Sequence, residues 1–117
     1  MIEEKEDVIL NLTLEFAVAI IAYCELLEQN RRYVISQQLL KSGTSIGANV
    51  REAQSPESKA DFIHKMKIAA KEADETEYWL ILCERSANYP PCEPLLQQLK
   101  VIQKILSKII ATSRRGN

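Results

Sequence analysis

Glycine and proline are scarce, with three and four residues in 117. That is too few for the many tight turns of an all-β protein. The three cysteines, Cys24, Cys83 and Cys92, stand alone, with no CxxC pair. Zinc-ribbon and dithiol redox motifs are therefore excluded, and buried, idle thiols in a reducing cytoplasm are the expected state. There is one histidine, His64. A di-iron carboxylate bundle needs two Glu-x-x-His motifs and two further Glu. Asp61-x-x-His64 is a single incomplete half. No Ser/His/acid or Cys/His set stands out either, so neither an enzyme nor a cofactor nor a small-molecule substrate is expected. Seven aromatic residues leave little for stacking on nucleic-acid bases. The acidic start, Ile2-Glu3-Glu4-Lys5-Glu6-Asp7, lacks the basic opening of a secretion signal. No unbroken apolar run reaches the roughly 18 residues of a membrane span, so no membrane partner is expected.

What the chain does have is apolar content, 46% of residues, with 26% charged. A chain of this size suits one domain with a real core. The net charge of −1 conceals blocks of alternating sign. Residues 1–30 sum to −6, 31–71 to +5, 72–94 to −5 and 95–117 to +5. In an up-and-down bundle sequence neighbours pack together, so much of this charge meets its opposite internally.

Helical periodicity predicts four segments. The first covers about 4–29, with Val8, Leu12, Ala19, Tyr23 and Leu26 as a stripe widened by Ile9, Phe16, Ile20 and Leu27. An arc this broad suits a central helix, or one whose second face meets another subunit. The second covers about 32–54, with Ile35, Leu39, Ile46, Val50 and Ala53 near heptad spacing. The third covers about 56–86, opened by Ser55-Pro56-Glu57 as N-cap, N1 proline and dipole-complementing acid. Its stripe is Phe62, Met66, Ala69, Ala73 and Leu80, joined by Tyr78, Trp79 and Ile81. "NYPPCEP" breaks the pattern. The fourth covers about 93–112, where Leu95, Leu99, Ile102, Leu106 and Ile109 give the 4-3-4-3 spacing of bundle helices. Residues 113–117 read as a frayed tail. The fold class is all-α, an antiparallel up-and-down four-helix bundle in one domain.

Within the second segment, "SGTSIGANV" at 42–50 places Gly43 and Gly47 four apart. Each costs a helix about 1 kcal/mol relative to Ala. A phosphate loop would need GxxxxGK[ST] after a strand, and neither is present. A loop between two short helices is one alternative, because Ser and Thr also favour turns. The preferred reading is a continuous helix with a flat face, on which Ser42, Ser45 and the two glycines let another helix approach closely.

Two polar sets remain. Asn49 and Arg51 on the second helix are expected to meet Glu72 or Glu75 on the third, beside Trp79, within the bundle or between subunits. The competing reading is a solvated face. Lys100, Lys104 and Lys108 repeat at i, i+4 and i+8 opposite the apolar stripe, followed by Arg114 and Arg115. Lys65, Lys67 and Lys71 add charge on the third helix. A phosphate backbone would see a positive track, although ordinary solubilising charge looks the same and the pI near 5.9 limits nonspecific binding.

The run "YVISQQLLKSGTSIGANVREAQS", followed by "SKADFIHKMKIAAKEADETEYWL", closely resembles the bacterial four-helix bundle family encoded by intervening sequences of 23S ribosomal RNA genes. The similarity is densest over 33–83 and extends over about 8–113. The resemblance implies a left-handed bundle assembling into a ring-like homopentamer. The accessory variability determinant of diversity-generating retroelements looks like a relative, and implies nucleic acid and a reverse transcriptase as partners. The resulting expectation is a cytoplasmic, non-enzymatic homo-oligomer that binds RNA, DNA or a nucleic-acid enzyme, with a purely protein-binding scaffold as the alternative.

Overall fold

The computed structural model describes residues 2–116, with side chains from Asp7 onward. It contains four α-helices: α1 (Ile2–Gln29), α2 (Tyr33–Glu52), α3 (Lys59–Arg85) and α4 (Glu93–Arg115). Among the described residues there is no strand. The helices pack in a ring, α1 on α2, α2 on α3, α3 on α4 and α4 on α1. Contacts run in opposite directions along each pair. Cys24 meets Ser36 and Thr13 faces Gly47 across α1–α2. Ser42 meets Thr76 and Glu52 meets Lys65 across α2–α3. Gln103 reaches Asp74 across α3–α4. Every neighbouring pair is thus antiparallel, in a rod of 50 × 22 × 19 Å.

The fourth helix buries the five residues that its spacing singled out, Leu95, Leu99, Ile102, Leu106 and Ile109. Helix α1 departs from expectation. Its core face is Ile9, Thr13, Phe16, Ile20, Tyr23, Cys24 and Leu27, whereas Val8 and Leu26 are exposed. A helix apolar on nearly every side carries little phase information, so its periodicity points one flank away from the face that is buried. Helix α3 likewise turns Tyr78 outward and buries Thr76 and Cys83 instead.

Helix ends follow local hydrogen bonding. α1 closes in a Schellman turn, with Arg32 N–H donating to the Leu27 carbonyl (2.8 Å) and Arg31 N–H to that of Glu28 (2.9 Å). Arg31 takes the left-handed conformation there, φ 64°, a position glycine usually fills. α3 does not start at Pro56. Ser58 is its N-cap, and its hydroxyl accepts from Asp61 N–H (3.0 Å) while Asp61 accepts from Glu57 N–H (3.0 Å). This reciprocal box satisfies two donors, and a cap at Ser55 satisfies neither. The expected tail is also corrected: Ser113, Arg114 and Arg115 continue α4, because Ser113 falls on its buried face. Asn117, the last residue of that tail, lies outside the described residues.

The segment Asp7–Gln29 is long and apolar enough to cross a membrane by length and composition. This differs from the expectation of no membrane-length run, because Glu15 and Glu25 interrupt the apolar residues without making the helix polar. In the bundle one face of that helix is core.

Candidate nucleic-acid interface and packing seams

The two glycines lie in unbroken helix. A Cβ on Gly43 would stand 2.9 Å from Ile20 Cγ2 and 3.0 Å from Cγ1. One on Gly47 would stand 3.2 Å from Thr13 Oγ1 and 3.4 Å from the Thr13 carbonyl. The bare backbone of α2 therefore seats the branched side chains of α1. The other edge of the seam is polar. The Ser42 and Thr76 hydroxyls hydrogen-bond at 3.0 Å, and Thr76 also donates to the Glu72 carbonyl at 2.7 Å. Ser45 donates to Lys41 O (2.6 Å) and Asn49 to Ser45 O (2.8 Å), so both turn back on their own helix.

The expected network between α2 and α3 does not form within the chain. Arg51 is exposed. Glu75 is exposed and accepts from Trp79 Nε1 at 3.0 Å. Glu72 is half-buried; burial raises its carboxyl above the usual range, Glu75 adds to that, and Lys41 opposes it. The cation facing Glu72 is thus Lys41 rather than Arg51.

On α4, Lys100, Lys104 and Lys108 are all exposed, and so are Arg114 and Arg115 in the last turn. With Gln103, Ser107 and Ala111 the lysines line an open groove of about 620 Å³. At 100° per residue Lys104 points directly away from the buried stripe. Gln103 ties this edge to α3 by donating to Asp74 (3.2 Å) and Glu77 (3.4 Å), which sets two carboxylates along the flank of the ridge.

The α3 lysines do not act as one set. Lys65 is paired with Glu52 at 2.8 Å, and that hydrogen bond and charge raise its ammonium above the ordinary value. Lys67 and Lys71 are exposed on a shared face, about 160° and about 120° around the helix from Lys65.

Among the described residues no group of three His, Cys, Asp or Glu is placed to hold a metal. The cysteines are free and buried. They gather with Tyr23 at one end of the bundle, where Tyr23 donates to Pro90 O (2.6 Å), Cys24 to Ser36 O (3.4 Å) and Cys92 to Leu80 O (3.2 Å). Burial pushes the Cys24 thiol up to about 11, Cys92 to about 12, and Cys83 and Tyr23 upward too. Such thiols are inert nucleophiles at neutral pH.

Two further surfaces stand out, the first of them the second face that the broad arc of α1 implies and the other absent from the sequence reading. One is the outward side of α1, where Leu14 (56% exposed), Val18 (61%) and Ile21 (45%) form an apolar strip. The other is a pocket at the loop end, lined by Arg31, Arg32, Tyr33, Trp79 and Tyr89 among others. Its signal was "NRRY", two arginines and an aromatic at a helix junction.

Four antiparallel helices, with a glycine-bearing α1–α2 seam and a basic fourth helix, define a small all-α bundle. The family model of the 23S rRNA-intervening sequence protein matches residues 5–108, and the chain belongs to that family. It is similar to a crystal structure from Bacteroides thetaiotaomicron VPI-5482, described as a protein with unknown function from the S23 ribosomal protein family. The two share 45% identity and a TM-score of 0.86, over 92% of this chain and 98% of that one. No curated protein matches the chain.

Proposed function

We propose that this protein is a non-enzymatic homo-oligomer, a ring-like pentamer, that binds RNA or DNA through the α4 ridge of each subunit. A nucleic-acid enzyme docked on the same assembly in the cytoplasm is the natural associate of such a module. The observation that carries the reading is the row of three exposed lysines on α4, none of which is in an ion pair among the described residues. Weak patches repeated around a ring gain avidity without new contacts. The apolar strip on α1 supplies a surface for self-association.

A gel-shift titration of single-stranded RNA over a salt series tests this. Affinity should fall steeply with salt. Lys100→Glu combined with Lys104→Glu and Lys108→Glu should flatten the log–log slope by about 2 per subunit engaged. Absence of binding at low salt, or binding indifferent to salt, overturns the reading. The second reading, a protein–protein scaffold that contacts no nucleic acid, then stands. It is favoured by the net charge of −1 and by Asp74 and Glu77 beside the ridge.

A further inference from the structure

The loop end of the bundle carries a second constellation, away from the α4 ridge. Here the α1–α2 turn and the α3–α4 connection meet, and an open pocket of about 680 Å³ lies between them. That volume is in the range of small-molecule sites. Its walls include Tyr33, Trp79 and Tyr89, with Ile35 and Val34 completing the apolar lining. Its cationic groups are Arg31 and Arg32, neither in an ion pair among the described residues. No carboxylate is among the residues that line it; Glu28 accepts from Ser36, and Glu75 from Trp79.

Arg32 is held in an unusual state. Its guanidinium lies 4.7 Å from the centre of the Tyr89 ring. Its Nε is shielded from solvent and has no hydrogen-bond acceptor. That donor is left unsatisfied by the fold, and the rest of the half-buried guanidinium borders the pocket. The start of α2 adds to this. No side chain caps that helix, and its first turn contains no acid. Its leading amides and positive dipole end are therefore left for an anionic group beside the two arginines.

We infer that this pocket binds a nucleoside monophosphate, with the phosphate on Arg31, Arg32 and the α2 amides and the base stacked on Trp79 and its neighbouring aromatics. An anion alone would use only the arginines and leave the aromatic wall empty. A neutral aromatic would leave the arginines unmatched. The combination of a planar ring and a doubly acidic ester engages both. The same chemistry is offered by a free nucleotide and by the 5′-phosphorylated end of a single strand. The assignment is independent of the α4 ridge.

Trp79 is the chain's sole tryptophan, so its fluorescence reports occupancy without a label. The full chain is titrated with adenosine 5′-monophosphate, adenosine and inorganic phosphate, excited where the base does not absorb. Saturable binding of the monophosphate, at least about tenfold tighter than either fragment, is expected because charge and stacking each contribute. A 5′-phosphorylated oligoadenylate separates the sources: tighter binding than the monophosphate assigns the strand end, and equal binding the free nucleotide. Arg31→Asn removes a charge at a left-handed position that Asn tolerates. Its melting temperature should hold or rise while monophosphate affinity falls about tenfold. Lys104→Glu should leave the response unchanged, which keeps this result separate from the ridge. No saturable response up to about 10 mM monophosphate overturns the inference. So does equal affinity for phosphate alone, or an Arg31→Asn variant that binds as tightly as the parent. An oligomer that changes size in Arg31→Asn, with no nucleotide response, also overturns it and makes the pocket a contact between copies.

Discussion

At the scale of single residues, Gly43 shows how a local penalty is offset by packing. Alanine there would regain about 1 kcal/mol of helix propensity. Its methyl would press on Ile20, which is buried and branched at Cβ, so neither γ carbon can swing away. Overpacking of this kind costs about 1–3 kcal/mol, and Gly43→Ala should lose about 1 kcal/mol net. Gly47→Ala should lose less, since its contacts with Thr13 start at 3.2 Å. Thermal unfolding of Gly43→Ala, Ile20→Ala and the double variant checks the mechanism. The double should be more stable than additivity predicts; strict additivity would place the strain elsewhere. The buried acids set a second expectation. In the unfolded chain the thiols lose protons from about pH 9, whereas in the fold Cys24 and Cys92 keep theirs to about 11 and about 12. Above pH 9 the unfolded state therefore binds fewer protons, and stability falls as pH rises. Their full contribution is present below pH 9, and each group removes up to about 1.4 kcal/mol per pH unit above it. Melting temperatures from pH 8 to 11 should drop along this curve, and Cys92→Ala should make the drop shallower.

At the scale of the helix, legibility depended on how sharply each sequence separates its faces. Helix α4 alternates Leu or Ile with Lys and Gln, so its core could be read directly. Helix α1 could not be phased, because Leu14, Val18 and Ile21 are as apolar as the residues it buries. Thr76 and Ser42 were harder still: each looks polar in sequence, yet they satisfy one another across α2–α3. The glycine seam was legible as a close contact, but its partner, α1, was not named by the sequence. The start of α3 turned on a choice between two serines. Ser58 prevails because Asp61 returns a bond to the entering chain. Ser58→Ala should therefore cost about 1 kcal/mol and Ser55→Ala close to nothing, measured by urea unfolding. Equal losses would mean that the box contributes little. The loop-end pocket was illegible for a different reason: its walls come from three separate stretches that only folding brings together.

At the scale of the whole molecule, the outward strip of α1 decides between a lone bundle and an assembly. Leu14, Val18 and Ile21 stand on one side of a rod only 19–22 Å thick. Light scattering should give a mass several times 13.3 kDa, and Leu14→Glu with Val18→Lys should reduce it to the monomer while helical circular dichroism is kept. A parent that is already monomeric at micromolar concentration would remove the strip's role. The ring of contacts between chain neighbours has a kinetic corollary. Three of the four seams join helices consecutive in the chain, and only α1–α4 spans nearly its whole length. Hairpins with so little chain between their halves assemble on microsecond-to-millisecond scales. The α1–α4 seam, which pays for the longest loop, closes last and parts first. Helix α1 is thus the piece that two molecules could trade, each lending its first helix to the other's remaining three.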